Sequence, residues 1–152
     1  FVLIHLDEKW NDIKDIETEL LRHLINFQKS IKMNLIITAK NNHYTYFKRF
    51  KYFLDKNKHD KITLLNNLNL NEMERLINHS VYSISCHSGF LVQIAGCNKT
   101  KIIDIINKKD LMWYSCWKPL NTKHKFVFKS NYEQKFNIKR IFNNIVKISK
   151  NF

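Results

Sequence analysis

The residues best suited to chemistry lie in the turn Cys86–Gly89, and the chemistry they predict is anion binding. His87 and Ser88 follow an apolar run that reads as a buried strand, and a short apolar helix follows them. In α/β proteins the backbone N–H groups at such a junction bind phosphate or another anion. The chain has only two glycines, Gly89 and Gly96, and both fall in this segment. We expect each to serve backbone geometry, because glycine alone adopts a positive φ without steric cost.

Two interpretations of this turn remain open. Ser88, Gly89 and Phe90 would present N–H groups at the positive end of a helix dipole, where a diphosphate is stabilised. An ordinary strand-to-helix turn with a serine cap explains the same residues. His87 would donate to a phosphate, contact a sugar or act as a general acid or base, or it would be satisfied by the backbone at a strand end. No catalytic residue is assigned.

A second group of candidates follows the first two strands. Lys9 would pair with phosphate oxygens, and Asp7 would orient it or bind a hydroxyl, although acidic residues are also favoured in the first turn of a helix. Thr38 and Lys40 end the second strand and are candidates for the same site. Asp104 lies in the middle of an apolar strand. Because a buried aspartate needs partners, it is either a structural anchor or a contact to a ribose.

The elements that must position these residues alternate between short apolar runs and amphipathic segments. Continuous apolar strands separated by helices predict a parallel sheet that is covered on both faces, an α/β Rossmann-like domain of about five or six strands. A long amphipathic helix is expected from Trp10 to Ile31. Asn71 and Glu74 predict a capping box, Gly96 a helix end, and residues 111–120 an irregular aromatic segment.

Composition limits the class of protein. The 152 residues are most simply one domain, 1–152, and their formal net charge is +13. That charge fits RNA or another polyanion, but the lysines are spread along the chain, and no specific nucleic acid is expected. Three cysteines without C-x-x-C spacing argue against a zinc site and a disulfide framework, and favour a reduced, cytoplasmic setting. No metal and no cofactor are expected. The chain opens at Phe1 in a strand-like run, so we expect the C-terminal half of a longer two-domain protein.

The order of elements and the turn Ser85–Gly89 resemble the C-terminal half of GT-B glycosyltransferases, in particular the heptosyltransferase-like family nine. His87-Ser88-Gly89 corresponds to that family's Asp-Thr-Gly-like turn, and Val92 to a family histidine, so two positions depart from the pattern. The run Val2–His5, followed by a polar loop with Trp10, resembles the family's opening strand and its tryptophan-containing loop.

The resemblance implies a function for the whole domain. It would bind the diphosphate of a nucleotide-sugar donor, for metal-independent transfer to a glycan or lipid-linked acceptor. A peripheral contact with the inner face of an anionic membrane is compatible with this function. Two alternatives remain open: a non-catalytic basic module that binds RNA or another polyanion, and a degenerate transferase-like domain that makes only protein contacts.

Overall fold

The fold is a single six-stranded parallel sheet with helices on both faces, seen in a computed structural model that describes residues 1–39, 45–56 and 59–152. This confirms the expected α/β Rossmann-like class. Lys40 lies outside the described residues. The strands are β1 Val2–Leu6, β2 Leu35–Ala39, β3 Ile62–Asn66, β4 Tyr82–Ser85, β5 Lys101–Asn107 and β6 His124–Ser130, and the helices are α1 Ile16–Ile31, α2 Thr45–Lys56, α3 Leu70–His79, α4 Gly89–Cys97, α5 Leu111–Cys116 and α6 Ile138–Ser149.

The strand order is β3-β2-β1-β4-β5-β6, with every neighbouring pair parallel. The chain therefore moves outward from β1 to β3, returns beside β1, and then moves outward in the opposite direction. The order reverses between β1 and β4. In open α/β sheets a ligand binds outside the carboxyl ends of the strands at such a reversal.

The sheet is buried on both sides, which explains why its strands are continuously apolar. One face packs against α1, α2 and α6, and the other face packs against α3 and α4. Representative fully buried side chains are Ile4, Leu24, Phe27 and Ile141 in the first layer and Leu3, Ile77, Leu91 and Ile102 in the second.

Two helix starts differ from the sequence-based expectation. Trp10 belongs to a short 3-10 helix, Glu8–Asp12, and α1 begins only at Ile16. The Trp10 indole N–H donates to the His5 carbonyl at 2.9 Å, and the backbone leaves helical geometry at Ile13 and Asp15 before α1 begins. The capping box of α3 uses Asn69 and Glu72 rather than Asn71 and Glu74. Both pairs have the required spacing, and the earlier one adds two residues to the helix.

The segment 111–120, expected to be irregular, contains the short helix α5. Trp113, Trp117 and Leu120 in this segment are largely exposed. The expectation was wrong because the apolar residues of this stretch do not enter the core. Their spacing therefore does not show the buried face by which a helix is recognised in a sequence.

Gly96 does not end α4, as the sequence suggested, but lies inside it, and the cap residue is Asn98. A Cβ at Gly96 would stand 2.7 Å from both Cβ and Cγ of Pro119. Gly96 is therefore required by a close approach between α4 and the segment that follows α5.

We expect Gly96→Ala to lower the free energy of unfolding by about 1–3 kcal/mol, because the added methyl overpacks this contact. Gly89→Ala is the matched control, since a Cβ there meets nothing within 4 Å and its φ is negative. Urea denaturation of both variants provides the comparison. Equal midpoints for the two variants would contradict the assigned role of Gly96.

Candidate functional site

A cleft of about 290 Å³ opens at the carboxyl edge of the sheet, beside the reversal of strand order. The ends of β1 and β2 form part of its lining, and the first turns of α3 and α4 form its walls. The lining residues are His5, Thr38, Ala39, Leu68, Asn69, Leu70, Met73, Ser88 and Phe90. Three of the sequence-predicted residues, Thr38, Ser88 and Phe90, therefore meet in one cleft.

The two helix starts beside the cleft differ in how their backbone N–H groups are satisfied. At α3 the Asn69 side chain accepts from the Glu72 N–H at 3.0 Å, and the Glu72 carboxylate accepts from the Asn69 N–H at 2.8 Å. At α4 Ser88 occupies the cap position without a side-chain cap hydrogen bond. Since the first N–H groups of any helix lack intrahelical partners, the start of α4 is the end able to bind an anion. The first turn of α4 contains no acidic residue.

The residue with a positive φ at this turn is His87, at 51°, and neither glycine has a positive φ. The expectation that Gly89 supplies left-handed geometry is therefore wrong. The left-handed region is costly for a residue with a Cβ, so surrounding contacts must hold His87 there. The backbone strain of the turn is thus carried by its histidine.

Lys9 is brought to this turn from the other side of the strand-order reversal. Its ammonium donates to the His87 carbonyl at 2.7 Å, across a sequence separation of 78 residues. The Lys129 ammonium in turn donates to the Lys9 carbonyl at 2.8 Å and to Asp12 at 3.3 Å. The structure therefore brings together Lys9 and His87, two of the sequence-predicted candidates. It uses the lysine to hold the backbone of the turn, with two ammonium hydrogens left for other acceptors.

Asp7 caps the 3-10 helix that carries Lys9. Its carboxylate accepts from the Lys9 N–H at 3.1 Å, and burial raises the pKa of Asp7 from 3.8 to about 6, against the opposing effect of Lys9. The structure thus supports the first-turn interpretation of Asp7. A ligand-binding role for Asp7 stays a prediction.

This pKa gives Asp7 a definite effect on stability. Because the folded protein binds the Asp7 proton more tightly than the unfolded chain, stability falls as pH rises between about 4 and 6. We expect Asp7→Asn to remove this contribution, at most about 3 kcal/mol for two pKa units, while keeping the cap, since asparagine caps as well as aspartate. Urea titrations at pH values across this window are the measurement. A pH profile that is identical in both proteins would contradict the prediction.

Polar residues form a row across four neighbouring strands, on the face of the sheet that packs against α3 and α4. Thr38, His5, Ser85 and Asp104 are consecutive register partners. His5 Nδ1 and Thr38 Oγ1 are 3.0 Å apart, and Ser85 Oγ accepts from the Ser88 N–H at 3.3 Å. The row therefore joins the cleft to the turn. His5 was missed as a site residue, although its place at the end of the first strand could have indicated it.

Asp104, the last member of this row, is fully buried and contacts two histidines. Its Oδ2 accepts from His87 Nδ1 at 2.5 Å and from His124 Nε2 at 3.3 Å. Burial alone would raise the pKa of Asp104, but hydrogen bonds from His124 and His87 outweigh it and lower the pKa. Tyr114 lies over the His87 ring, with the centroids 3.7 Å apart. Of the two sequence interpretations, Asp104 is therefore the anchor of His87.

His124 is the member of this group that sequence reasoning missed. It opens β6 and is itself buried. A histidine at the start of an apolar strand was the available signal, but nothing in the sequence connects it with Asp104. Among residues 1–39, 45–56 and 59–152, no group of three or more His, Cys, Asp or Glu side chains is arranged to hold a metal ion.

All three cysteines are free, with Cys86 buried and Cys97 and Cys116 exposed. Within the described ranges, no helix combines the length and apolar character needed to cross a bilayer.

Comparison with known proteins identifies the fold. No family model matches the chain, and no curated protein matches it. The crystal structure of UDP-GlcNAc 2-epimerase from Methanocaldococcus jannaschii, in complex with UDP-GlcNAc and UDP, is similar with a TM-score of 0.56 and 14% sequence identity. The match covers 100% of this chain and 45% of the epimerase. The chain therefore has a Rossmann-like, GT-B-like fold and spans less than half the length of that enzyme.

Proposed function

We propose that this domain binds the diphosphate of a nucleotide-sugar donor in the cleft between the starts of α3 and α4. The observation that carries this proposal is the uncapped start of α4, which opens into a cleft at the reversal of strand order. The N–H groups of Gly89, Phe90 and Leu91 would bind the phosphate oxygens, aided by the helix dipole.

The remaining site residues have supporting roles. Lys9 would hold the turn through the His87 carbonyl and offer its other hydrogens to the diphosphate. Asp7 would fix the short helix that carries Lys9. Thr38, hydrogen-bonded to His5, would present its hydroxyl to the nucleoside or sugar at the cleft wall.

The reaction that we propose is glycosyl transfer, in a protein resembling the heptosyltransferase-like family nine. The cleft volume of about 290 Å³ is at the lower limit for a small-molecule site. A nucleotide-sugar would therefore extend beyond it. In this proposal the chain is the C-terminal half of a two-domain enzyme, and the acceptor, a glycan or lipid-linked sugar, binds largely on the other half.

Binding of nucleoside diphosphates tests the proposal directly. ADP, CDP, GDP and UDP are titrated by calorimetry, with the matching monophosphates as controls. At least one diphosphate should bind more tightly than its monophosphate and raise the melting temperature. At a ligand concentration of 100 Kd, binding should add about 2.7 kcal/mol to the free energy of unfolding. Absence of binding by all four would refute the proposal. Tight, steeply salt-dependent RNA binding in its place would favour the polyanion-binding alternative.

A surface beside the site supports a peripheral membrane contact for a lipid-linked acceptor. Met112, Trp113, Trp117 and Leu120 are 83%, 65%, 57% and 97% exposed, and the exposed lysines Lys108, Lys109, Lys118 and Lys123 flank them. Exposed tryptophan next to lysine is typical of segments that lie in the interface of anionic membranes.

We expect the protein to sediment with vesicles that contain an anionic phospholipid and not with purely zwitterionic vesicles. Replacing Trp113 and Trp117 together with serine should weaken the affinity for these vesicles at least tenfold, since burying even one large apolar side chain contributes about 1.5–3 kcal/mol. Tyr52→Ser, at an exposed aromatic on α2, is the control. Equal sedimentation of the double variant and the control would contradict this contact.

A further inference from the structure

We propose that the groove between α1 and α6 is a second ligand site, which binds a small sugar phosphate. The groove has a volume of about 480 Å³, which falls in the range of small-molecule sites. It lies on the face of the sheet that packs against α1, α2 and α6, whereas the cleft of the proposed diphosphate is walled by α3 and α4. The second site is therefore independent of the proposed function.

Two matching rows of polar side chains form the rim of this groove. On each helix the members are four residues apart, which places them along one side of the helix. The rows are Arg22, Asn26 and Ser30 on α1, and Lys139, Asn143 and Lys147 on α6. Because both helices begin just after the parallel bridge between Lys14 and Asn137, the rows start side by side. Each row begins with a cation and has an asparagine at its centre.

The floor between the two rows is aromatic and apolar. Phe27 and Phe142 are 1% and 3% exposed, and their rings meet edge to face with the centroids 6.0 Å apart. The His23 ring stacks on Phe142 with the centroids 5.7 Å apart, and Val146 completes the floor. Since buried side chains of this kind are close-packed, the groove is formed before any ligand binds.

The charge of the rim selects an anion. Arg22, Lys139 and Lys147 give the lining three positive charges, and no lining residue is acidic. Glu19 pairs with Arg22, but within the described part of the chain neither lysine has a carboxylate oxygen within 4.0 Å. The same charge opposes a second copy of this chain as the occupant, because like charges across an interface repel.

Lys139 lies where a helix least favours a cation. It is the second residue of α6, whose first turn contains no acidic residue, and the N-terminal end of a helix attracts anions and repels cations. Burial lowers the pKa of His23, and the charge of Arg22 lowers it further. Lys139 adds to this effect, and Glu19 opposes it. The two cations therefore act on one point of the floor, and an anion bound between them would offset both.

The order of groups along the rim defines the class of ligand. Arg22 and Lys139 would bind a phosphate through charge-assisted hydrogen bonds. The amides of Asn26 and Asn143 offer both donors and acceptors, which suits the hydroxyls of a sugar. Lys147 lies eight residues after Lys139, or about 12 Å along the helix, and would bind a second phosphate at the far end. We therefore expect sugar bisphosphates to bind in preference to monophosphates.

Calorimetric titration with fructose bisphosphate, fructose monophosphate and free fructose, at physiological ionic strength, tests the inference. The bisphosphate should bind most tightly and free fructose least. Lys139→Ala combined with Lys147→Ala should weaken binding of the bisphosphate at least about tenfold, because two hydrogen bonds to charged groups are lost. Lys29→Ala combined with Lys150→Ala is the matched control, since it removes the same charge from exposed positions outside the lining. Equal losses in the two double variants, or no binding by either phosphate, would overturn the inference.

NMR of the histidine rings shows where the sugar phosphate binds. The bisphosphate should shift the ring signals of His23 and raise its pKa, because a bound anion offsets the charges of Arg22 and Lys139. Ser88→Asp, which alters the proposed diphosphate site, should give the same response. A response that disappears in Ser88→Asp, or that moves the His87 ring and not the His23 ring, would overturn the second site. Failure of every nucleoside diphosphate to bind, with these results as expected, would refute the proposed function alone.

Discussion

Replacing Trp10 with alanine should lower the free energy of unfolding by about 3–5 kcal/mol, a large fraction of the roughly 5–15 kcal/mol of a typical domain. Trp10 is fully buried, and its indole donates to the His5 carbonyl at 2.9 Å. The substitution removes the largest buried side chain near the site and the indole hydrogen bond to that carbonyl. Urea denaturation followed by circular dichroism gives the value.

Trp10→Phe separates packing from hydrogen bonding at this position. It keeps an aromatic ring and loses the indole N–H, so we expect a smaller cost of about 1–3 kcal/mol from the lost hydrogen bond and the lost volume. Because Trp10 fixes the short helix that carries Asp7 and Lys9, both variants should also weaken diphosphate binding under conditions where they remain folded. A loss below about 1 kcal/mol for Trp10→Ala would mean that this helix is not anchored as described.

Replacing Ser88 with aspartate should weaken diphosphate binding by about 2–4 kcal/mol, or about 30- to 1,000-fold. Ser88 lies in the lining of the cleft, at the cap position of α4. A carboxylate there would repel the ligand and occupy the N–H groups that we assign to phosphate. Aspartate is also a good helix cap, so the same substitution should preserve or raise the stability of the domain.

Because Ser88→Asp should weaken binding while preserving or raising stability, the experiment distinguishes loss of the binding site from loss of folding. Ser88→Ala is the matched control, because the serine side chain makes no cap hydrogen bond. It should bind within about threefold of the wild type, equivalent to about 0.7 kcal/mol. Calorimetry gives the affinity, and thermal melting without ligand gives the stability. Unchanged affinity in Ser88→Asp would exclude the start of α4 as the phosphate-binding element.

Local patterns were sufficient to predict the fold class and the position of the turn that follows β4. Continuous apolar runs between amphipathic segments follow from burial of a sheet on both faces, and this burial is what the structure shows. The turn at His87 and Ser88 was recognisable because it joins a buried strand to an apolar helix. The predicted element boundaries were wrong where two residues fitted the same capping pattern, as at Asn69 and Asn71. They were also wrong in α5, because its exposed aromatic residues do not repeat at the spacing of a buried helix face.

The sequence by itself determined that this chain would build a parallel α/β sheet with a polar turn at one strand end. Only the tertiary structure decided that Lys9 would hold the His87 carbonyl and that Asp104 and His124 would hold its ring. These contacts depend on strand order and on the left-handed backbone of His87. The order brings together residues that are far apart in the chain, and the backbone angle sets the direction of the side chain. Neither the strand order nor this backbone angle can be predicted from the local spacing of residues, because each results from the packing of the whole sheet.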